Sequence, residues 1–286
     1  MSFEILTYGF MHRAIIAGVA IAILCSVIGL FLVLRRYSLF GDALAHSSFG
    51  GIALGLFAGV YPLWTAYAVS ILSALIITKI KDKYNISGDA SIAVLLSAGI
   101  AAGLVIISFS GGFSIDIFSF LFGSILLVSV NDTVLILALT GAILIVILLL
   151  YRQILYSTFN EEQAKVSGIP VEKINYLIIF MAGLTVVTSI QLVGVLLISA
   201  LFVIPNVTAI MYGRGFRQTA IISISFSVFS VLTGILISYI FDITPAGTIV
   251  LFSIGLLAAT MGIRSVSYTH LRAHETDSYL VCRLLL

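Results

Sequence analysis

Asp42 and His46 stand four residues apart, just before and inside an uncharged stretch that covers 43–78. On a helix that spacing puts a carboxylate and an imidazole on one face, one turn apart, and Gly50 continues the row. An oxygen donor and a nitrogen donor placed this way can share a divalent metal ion. Ionisable groups at the mouth of an apolar segment are costly to keep there, which makes them candidates for function. The same two residues also have a plainer reading, with Asp42 as a helix cap and His46 as a hydrogen-bonded interior side chain.

The elements that must position this pair are membrane helices. The chain is 61% hydrophobic and 9% charged over 286 residues, with a mean hydropathy of +1.23. Soluble domains carry about 25% charged residues. No Asp, Glu, Lys or Arg occurs in 14–34, 43–78, 133–151, 174–213, 218–241 or 243–263. Each window holds one or two runs of roughly 20 residues, the length that crosses a bilayer. The predicted fold is all-α: a polytopic helical membrane protein of eight or nine transmembrane helices, embedded in the lipid bilayer. Spans are expected at about 14–34, 44–60, 62–78, 90–109 and 133–151, two within 174–213, and two more at 218–240 and 244–263. The long window is divided near Ser189-Ile190-Gln191. A short apolar piece at 117–129, after the loop Ser110-Gly111-Gly112, is too short to cross and reads as re-entrant or interfacial. The first run lacks a small-residue cleavage pattern and is read as a retained span. Cys25 and Cys282 build no disulfide framework.

Basic residues concentrate at 35–36, 79–83, 152–173, 214–217 and 264, whereas the opposite loops carry Asp116, Asp132 and Asp242. The positive-inside rule places the first set in the cytoplasm and the N-terminus outside.

Four further groups of residues are candidates. Ser47, Gly51, Gly55 and Gly59 recur every fourth position, a small-residue stripe where another helix can approach. In the longest inside loop Asn160 is a good N-cap, Gln163 holds the capping-box position, Glu161 and Glu162 suit the positive end of the helix dipole, and Gly168 and Pro170 stop the helix. Two turns cannot stand alone, so that helix docks on its own protein or on a cytoplasmic partner. Asp89, at the start of the fourth span, is a helix cap or a pathway residue. Thr188, Ser189 and Gln191, at the proposed junction, satisfy freed backbone or line a pathway. Pro205 and Asn206 are expected to kink their span.

These stretches, with 193–205 (Val-Gly-Val-Leu-Leu-Ile-Ser-Ala-Leu-Phe-Val-Ile-Pro), resemble the permease subunits of ABC importers for zinc, manganese or iron, the ABC-3 family, over residues 8–264. The family pattern of two arginines, Gly-Asp-Ala-x-x-His and Gly-x-x-x-Gly corresponds to Arg35, Arg36, Gly41, Asp42, Ala43, His46, Gly51 and Gly55. Its Ala-x-x-x-Gly loop, which contacts the ATPase, matches Ala164 and Gly168. The resemblance implies a homodimeric permease in the plasma membrane, with Asp42 and His46 in the metal pathway. It implies a coupling helix at 160–168, cytoplasmic ATP-binding subunits and an extracytoplasmic metal-binding protein. Two copies would supply two Asp and two His, enough for four ligands. No cofactor is resident, and Zn²⁺, Mn²⁺ or Fe²⁺ is cargo.

The residues themselves agree on two points. The chain has no Gly-x-x-x-x-Gly-Lys-[Ser/Thr] phosphate loop, so it does not hydrolyse ATP. It also has essentially one ionisable cluster within its spans, where gradient-driven transporters bury several. A permease for a metal chelate would need a wide aromatic-lined cavity and no His46. A polytopic enzyme would need more catalytic polar groups at one depth, and no feature suggests nucleic-acid binding. The transmembrane permease domain is taken as 1–265. Residues 266–286 change composition abruptly and resemble read-through into vector or adapter DNA, so they are set apart despite His270, His274, Glu275 and Cys282.

Overall fold

The computed structural model describes residues 9–84, 88–110, 115–124, 128–195 and 198–284. Ser87, the Gly111–Gly112 loop and Leu196–Leu197 lie outside the described residues, as do the side chains of Asp89, Asp116, Gln191 and 265–286. Every element among the described residues is a helix: α1 (Gly9–Leu34), α2 (Phe40–Ala58), α3 (Pro62–Tyr84), α4 (Gly88–Phe109), α5 (Ile115–Phe122), α6 (Val130–Leu149), α7 (Tyr151–Phe159), α8 (Glu161–Val166), α9 (Val171–Val193), α10 (Ile198–Ile210), α11 (Phe216–Phe241) and α12 (Pro245–Leu284). Lipid offers no partner to backbone amides, so a spanning chain must satisfy them within its own helices. Among the described residues, seven helices, α1, α3, α4, α6, α9, α11 and α12, are long and apolar enough to cross a membrane. The other two segments predicted as spans are α2, which carries Asp42 and His46 in its 19 residues, and α10, 13 residues long with Pro205 inside.

Three boundaries differ from the sequence reading. The division of 174–213 falls at Gly194, not at Ser189–Gln191, and α9 stays helical through Val193. Ser189 and Thr188 are accommodated within the helix, each hydroxyl donating to the carbonyl four residues back, at 2.7 and 2.6 Å. Residues 151–159 form α7 instead of an open loop, with Ile154 fully buried beneath them. The short apolar piece overlaps the eight-residue α5, which begins at Ile115 and ends at Phe122 and docks on the break after α9 through Val195 N–H donating to Phe120 O at 3.0 Å. Gly123 and Gly194 meet there, both at positive φ (+74° and +80°), and a side chain on either would strike the backbone of the other segment.

Helix α1 lies at the centre, packed against α6, α9, α10 and α11. Its seam with α10 and α11 is polar and fully internal. Ser26 donates to Ser223 at 2.8 Å, Ser223 to Asn206 Oδ1 at 2.6 Å, and Asn206 Nδ2 to Phe202 O at 2.7 Å. Asn206 is 0% exposed. In hydrocarbon such groups find no water, so each must be paired inside the protein. Replacing Asn206 with alanine strands the Ser223 hydroxyl and is expected to cost about 1–2 kcal/mol, read as a lower unfolding midpoint in mild detergent.

Candidate functional site

The approach to the candidate site is a sharp reversal. Helix α1 ends at Leu34, Tyr37 N–H donates to Leu32 O at 2.8 Å, Arg36 N–H donates to Val33 O at 3.0 Å, and Arg36 adopts φ +62°. That is a Schellman-type stop with an arginine where glycine is usual. Helix α2 then begins behind Leu39, which offers no side-chain cap, and Asp42 sits inside its first turn. Asp42 is therefore not the cap of this helix. The positive end of the helix dipole favours a carboxylate there.

Asp42 Oδ1 and His46 Nε2 are 3.7 Å apart, with side-chain exposures of 22% and 15%. The gap is longer than a hydrogen bond. Two donors each about 2.1 Å from a tetrahedral ion stand roughly 3.4 Å apart, so a small rotamer adjustment would let both hold one metal. No group of three or more His, Cys, Asp or Glu gathers among the described residues. One chain thus brings two ligands, and other donors must complete the shell.

The pair is held by a helix clamped on two sides. Gly51 lies against α3, where an added Cβ would stand 2.8 Å from Ala66 Cα, and Gly55 meets Thr65 and Pro62. Ser47 donates to Ser73 of α3 at 2.6 Å. Gly59 leaves this stripe: it ends α2 at φ +67° with nothing within 4 Å, so it caps the helix instead of packing. The other flank meets α4. A Cβ on Gly99 would fall 2.6 Å from Ser47 N and 2.7 Å from the His46 carbonyl carbon, and Gly50 faces Gly99 O. Gly99 and Gly103 went unremarked in the sequence, although their own four-residue spacing is a packing signal.

The secondary candidates lie elsewhere. Thr188, 3% exposed, shares a 2.9 Å hydrogen bond with Tyr67 and so ties α9 to α3; Ser189, fully buried, lies 3.3 Å from Cys25 of α1. Gln191 sits in the last turn of α9 and Asp89 at the second position of α4. No described contact joins Thr188 or Ser189 to Asp42 or His46.

A second cluster forms around α8. Asn160 accepts from Gln163 N–H at 3.0 Å, Glu161 and Glu162 occupy the first turn, and Glu161 pairs with Lys165 at 3.4 Å. Gly168, at φ +80°, donates to Lys165 O, while Ile169 N–H reaches Ala164 O. Ala164 is 0% exposed and points inward; Val166, 89% exposed, points outward, and Phe159 is largely exposed with one edge against Phe216. Neither exposed residue is singled out by composition, since an isolated valine or phenylalanine gives no signal until the opposite face is known. A cavity of about 440 Å³ beside this helix is lined by Arg35, Tyr37, Ser157, Glu161 and Asn175 among others.

The described residues thus form a bundle of apolar helices with one Asp/His pair and a short capped helix. Residues 7–264 match the model of the ABC 3 transport family. A protein named "Probable metal transport system membrane protein" from Treponema pallidum is 34% identical, covering 91% of this chain and 98% of the relative. The "Manganese transport system membrane protein MntC" of Halalkalibacterium halodurans is 32% identical, covering 89% and 87% respectively. The solved structure of PsaBC from Streptococcus pneumoniae in complex with Fab superposes with a TM-score of 0.81 at 31% identity, covering 90% of this chain and 92% of that one. The chain belongs to the ABC 3 transport family. It is a multi-pass membrane permease subunit, and ATP hydrolysis falls to a separate subunit.

Proposed function

We propose that this permease imports a divalent transition metal ion, with Asp42 and His46 as its ligands in the pathway. Manganese is the first cargo to test because relatives along nearly the whole chain are named for manganese transport. Zn²⁺ and Fe²⁺ follow, since a mixed carboxylate and imidazole set suits all three. The observation that carries the reading is the 3.7 Å Asp42–His46 pair in the first turns of α2, where few other charges interrupt the apolar helices. Two copies of the chain bring two such pairs together, completing a four-donor shell, and an extracytoplasmic binding protein delivers the ion. Thr188 and Ser189 serve helix contacts. Residues 266–286 follow the family match and stand outside this function.

Helix α8, with Asn160, Glu161, Glu162, Ala164 and Gly168, is the docking element for the ATP-binding subunit. Ala164 seats it on the permease and Val166 reaches into the partner. Val166→Asp would put a charge in that contact and is expected to lower the ATP-binding subunit recovered with the purified permease by about tenfold or more, because central apolar anchors dominate interface energy. Uptake of Mn²⁺, Zn²⁺ and Fe²⁺ by vesicles holding the complete transporter tests the whole reading. ATP-dependent accumulation of at least one of these ions supports it, and accumulation of none of them overturns it.

A further inference from the structure

Arg35 follows α1 directly, yet its guanidinium is committed to two other helices. Nε donates to Thr158 Oγ1 at 3.1 Å and Nη2 to Ser157 Oγ at 2.7 Å, both on α7, while Nη1 donates to Asn175 Oδ1 on α9. Burial pushes the guanidinium below its ordinary value, and the opposing charge of Glu161, the first residue of α8, acts against that. On the other side of Arg35 the chain turns through Arg36 in the left-handed region, a conformation costing a non-glycine residue about 1–2 kcal/mol, and enters α2 a few residues before Asp42. Backbone held in a sparsely populated conformation by its surroundings is a feature of switch regions.

We propose that Arg35 is a positioning residue that transmits displacement of α8 to the α1–α2 turn, and so to the Asp42–His46 pair. The inference rests on the reading of α8 as the ATPase contact. Helix α8 has only six residues and packs on α7 and α9. Ser157, Thr158 and Asn175 belong to those elements, and one planar group binds all three. Each guanidinium nitrogen has its own acceptor, so a displacement of α7 or α9 is passed to the end of α1 instead of being absorbed by a flexible side chain. A lysine ammonium lacks this fork and cannot hold the three acceptors in the same geometry. The aromatic contacts of Phe216 with Phe31, Tyr151 and Phe159, at centroid distances of 5.3, 6.0 and 6.3 Å, brace the same junction from its apolar side.

The test is the amount of Mn²⁺ moved per ATP hydrolysed by the complete transporter in vesicles, a ratio that a mere loss of folded protein leaves unchanged. Arg35→Gln and Arg35→Lys are expected to keep hydrolysing ATP while the ratio falls about tenfold, within the range by which coupling residues act. The pair Ser157→Ala with Thr158→Val, which leaves the charge in place, is expected to lower the ratio in the same direction. Adding it to Arg35→Gln is expected to lower the ratio no further. A ratio equal to wild type in Arg35→Gln, or full restoration of it by lysine, overturns the proposal. A wild-type transporter that moves no metal overturns the underlying reading, and this one with it.

Discussion

His46→Ala is expected to abolish metal uptake, lowering it by about 100-fold or more, while the permease still inserts and still carries its ATP-binding subunit. Even outer-shell partners of metal ligands cost 10- to 100-fold when removed, and His46 is proposed as a ligand itself. The side chain is 15% exposed and stands 3.7 Å from Asp42, so its truncation removes a donor from a mostly buried position beside the carboxylate. Asp42→Asn is expected to act in the same direction, since the amide keeps the shape and loses the charge that attracts a cation. Uptake at matched membrane levels, with recovery of the ATP-binding subunit as the control, checks both. Uptake by His46→Ala within twofold of wild type would return the histidine to the packing role that its burial also allows.

The second large effect is expected at a residue without a side chain. At Gly99 a single methyl would press on the backbone of His46 and Ser47 at 2.6–2.7 Å, and backbone cannot swing aside as a side-chain tip can. Helix α2 must therefore shift. Overpacking of this kind costs about 1–3 kcal/mol. The loss of uptake is expected to exceed what that destabilisation explains, because the shift falls on the helix carrying both donors, and sites of this type tolerate only about 0.5 Å of displacement. Gly103→Ala is the matched comparison. Its methyl would meet the Phe49 ring at 2.6 and 2.7 Å, a side chain able to rotate, so a milder loss is expected. Thermal unfolding measured beside uptake separates stability from site geometry. Equal losses of uptake in the two variants would mean that the α2–α4 contact does not set the position of His46.

Local signals in the sequence were legible. The four-residue spacing of Asp42 and His46 survives as a facing pair, the charge-free windows coincide with apolar helices, and Asn160 caps α8 through its side chain. Each depends on residues within one or two helical turns. What remained hidden depends on a partner distant in sequence. Gly51, Gly55 and Gly59 share a spacing, yet the first two meet α3 and the third only ends the helix. Ser189 and Gln191 look like a break in an apolar run, but the Ser189 hydroxyl satisfies itself on its own helix and the turn waits for Gly194. Arg35 reads as the basic end of a span, whereas its acceptors lie more than a hundred residues away on α7 and α9. Helix α7 was obscured by Arg152 and Gln153, because its buried face is set by Ile154 and Ser157.

The most direct test of the metal pathway is the ligand set of the ion while it is held in the permease. Electron spin-echo spectroscopy of Mn²⁺ bound to the purified complete transporter reports nitrogen donors through their coupling to the metal electrons. The structure-based account predicts an imidazole nitrogen signal in the wild type that disappears in His46→Ala. Nitrogen coupling that persists unchanged in that variant, or an all-oxygen environment in the wild type, would contradict the assignment of Asp42 and His46 as the metal-binding pair.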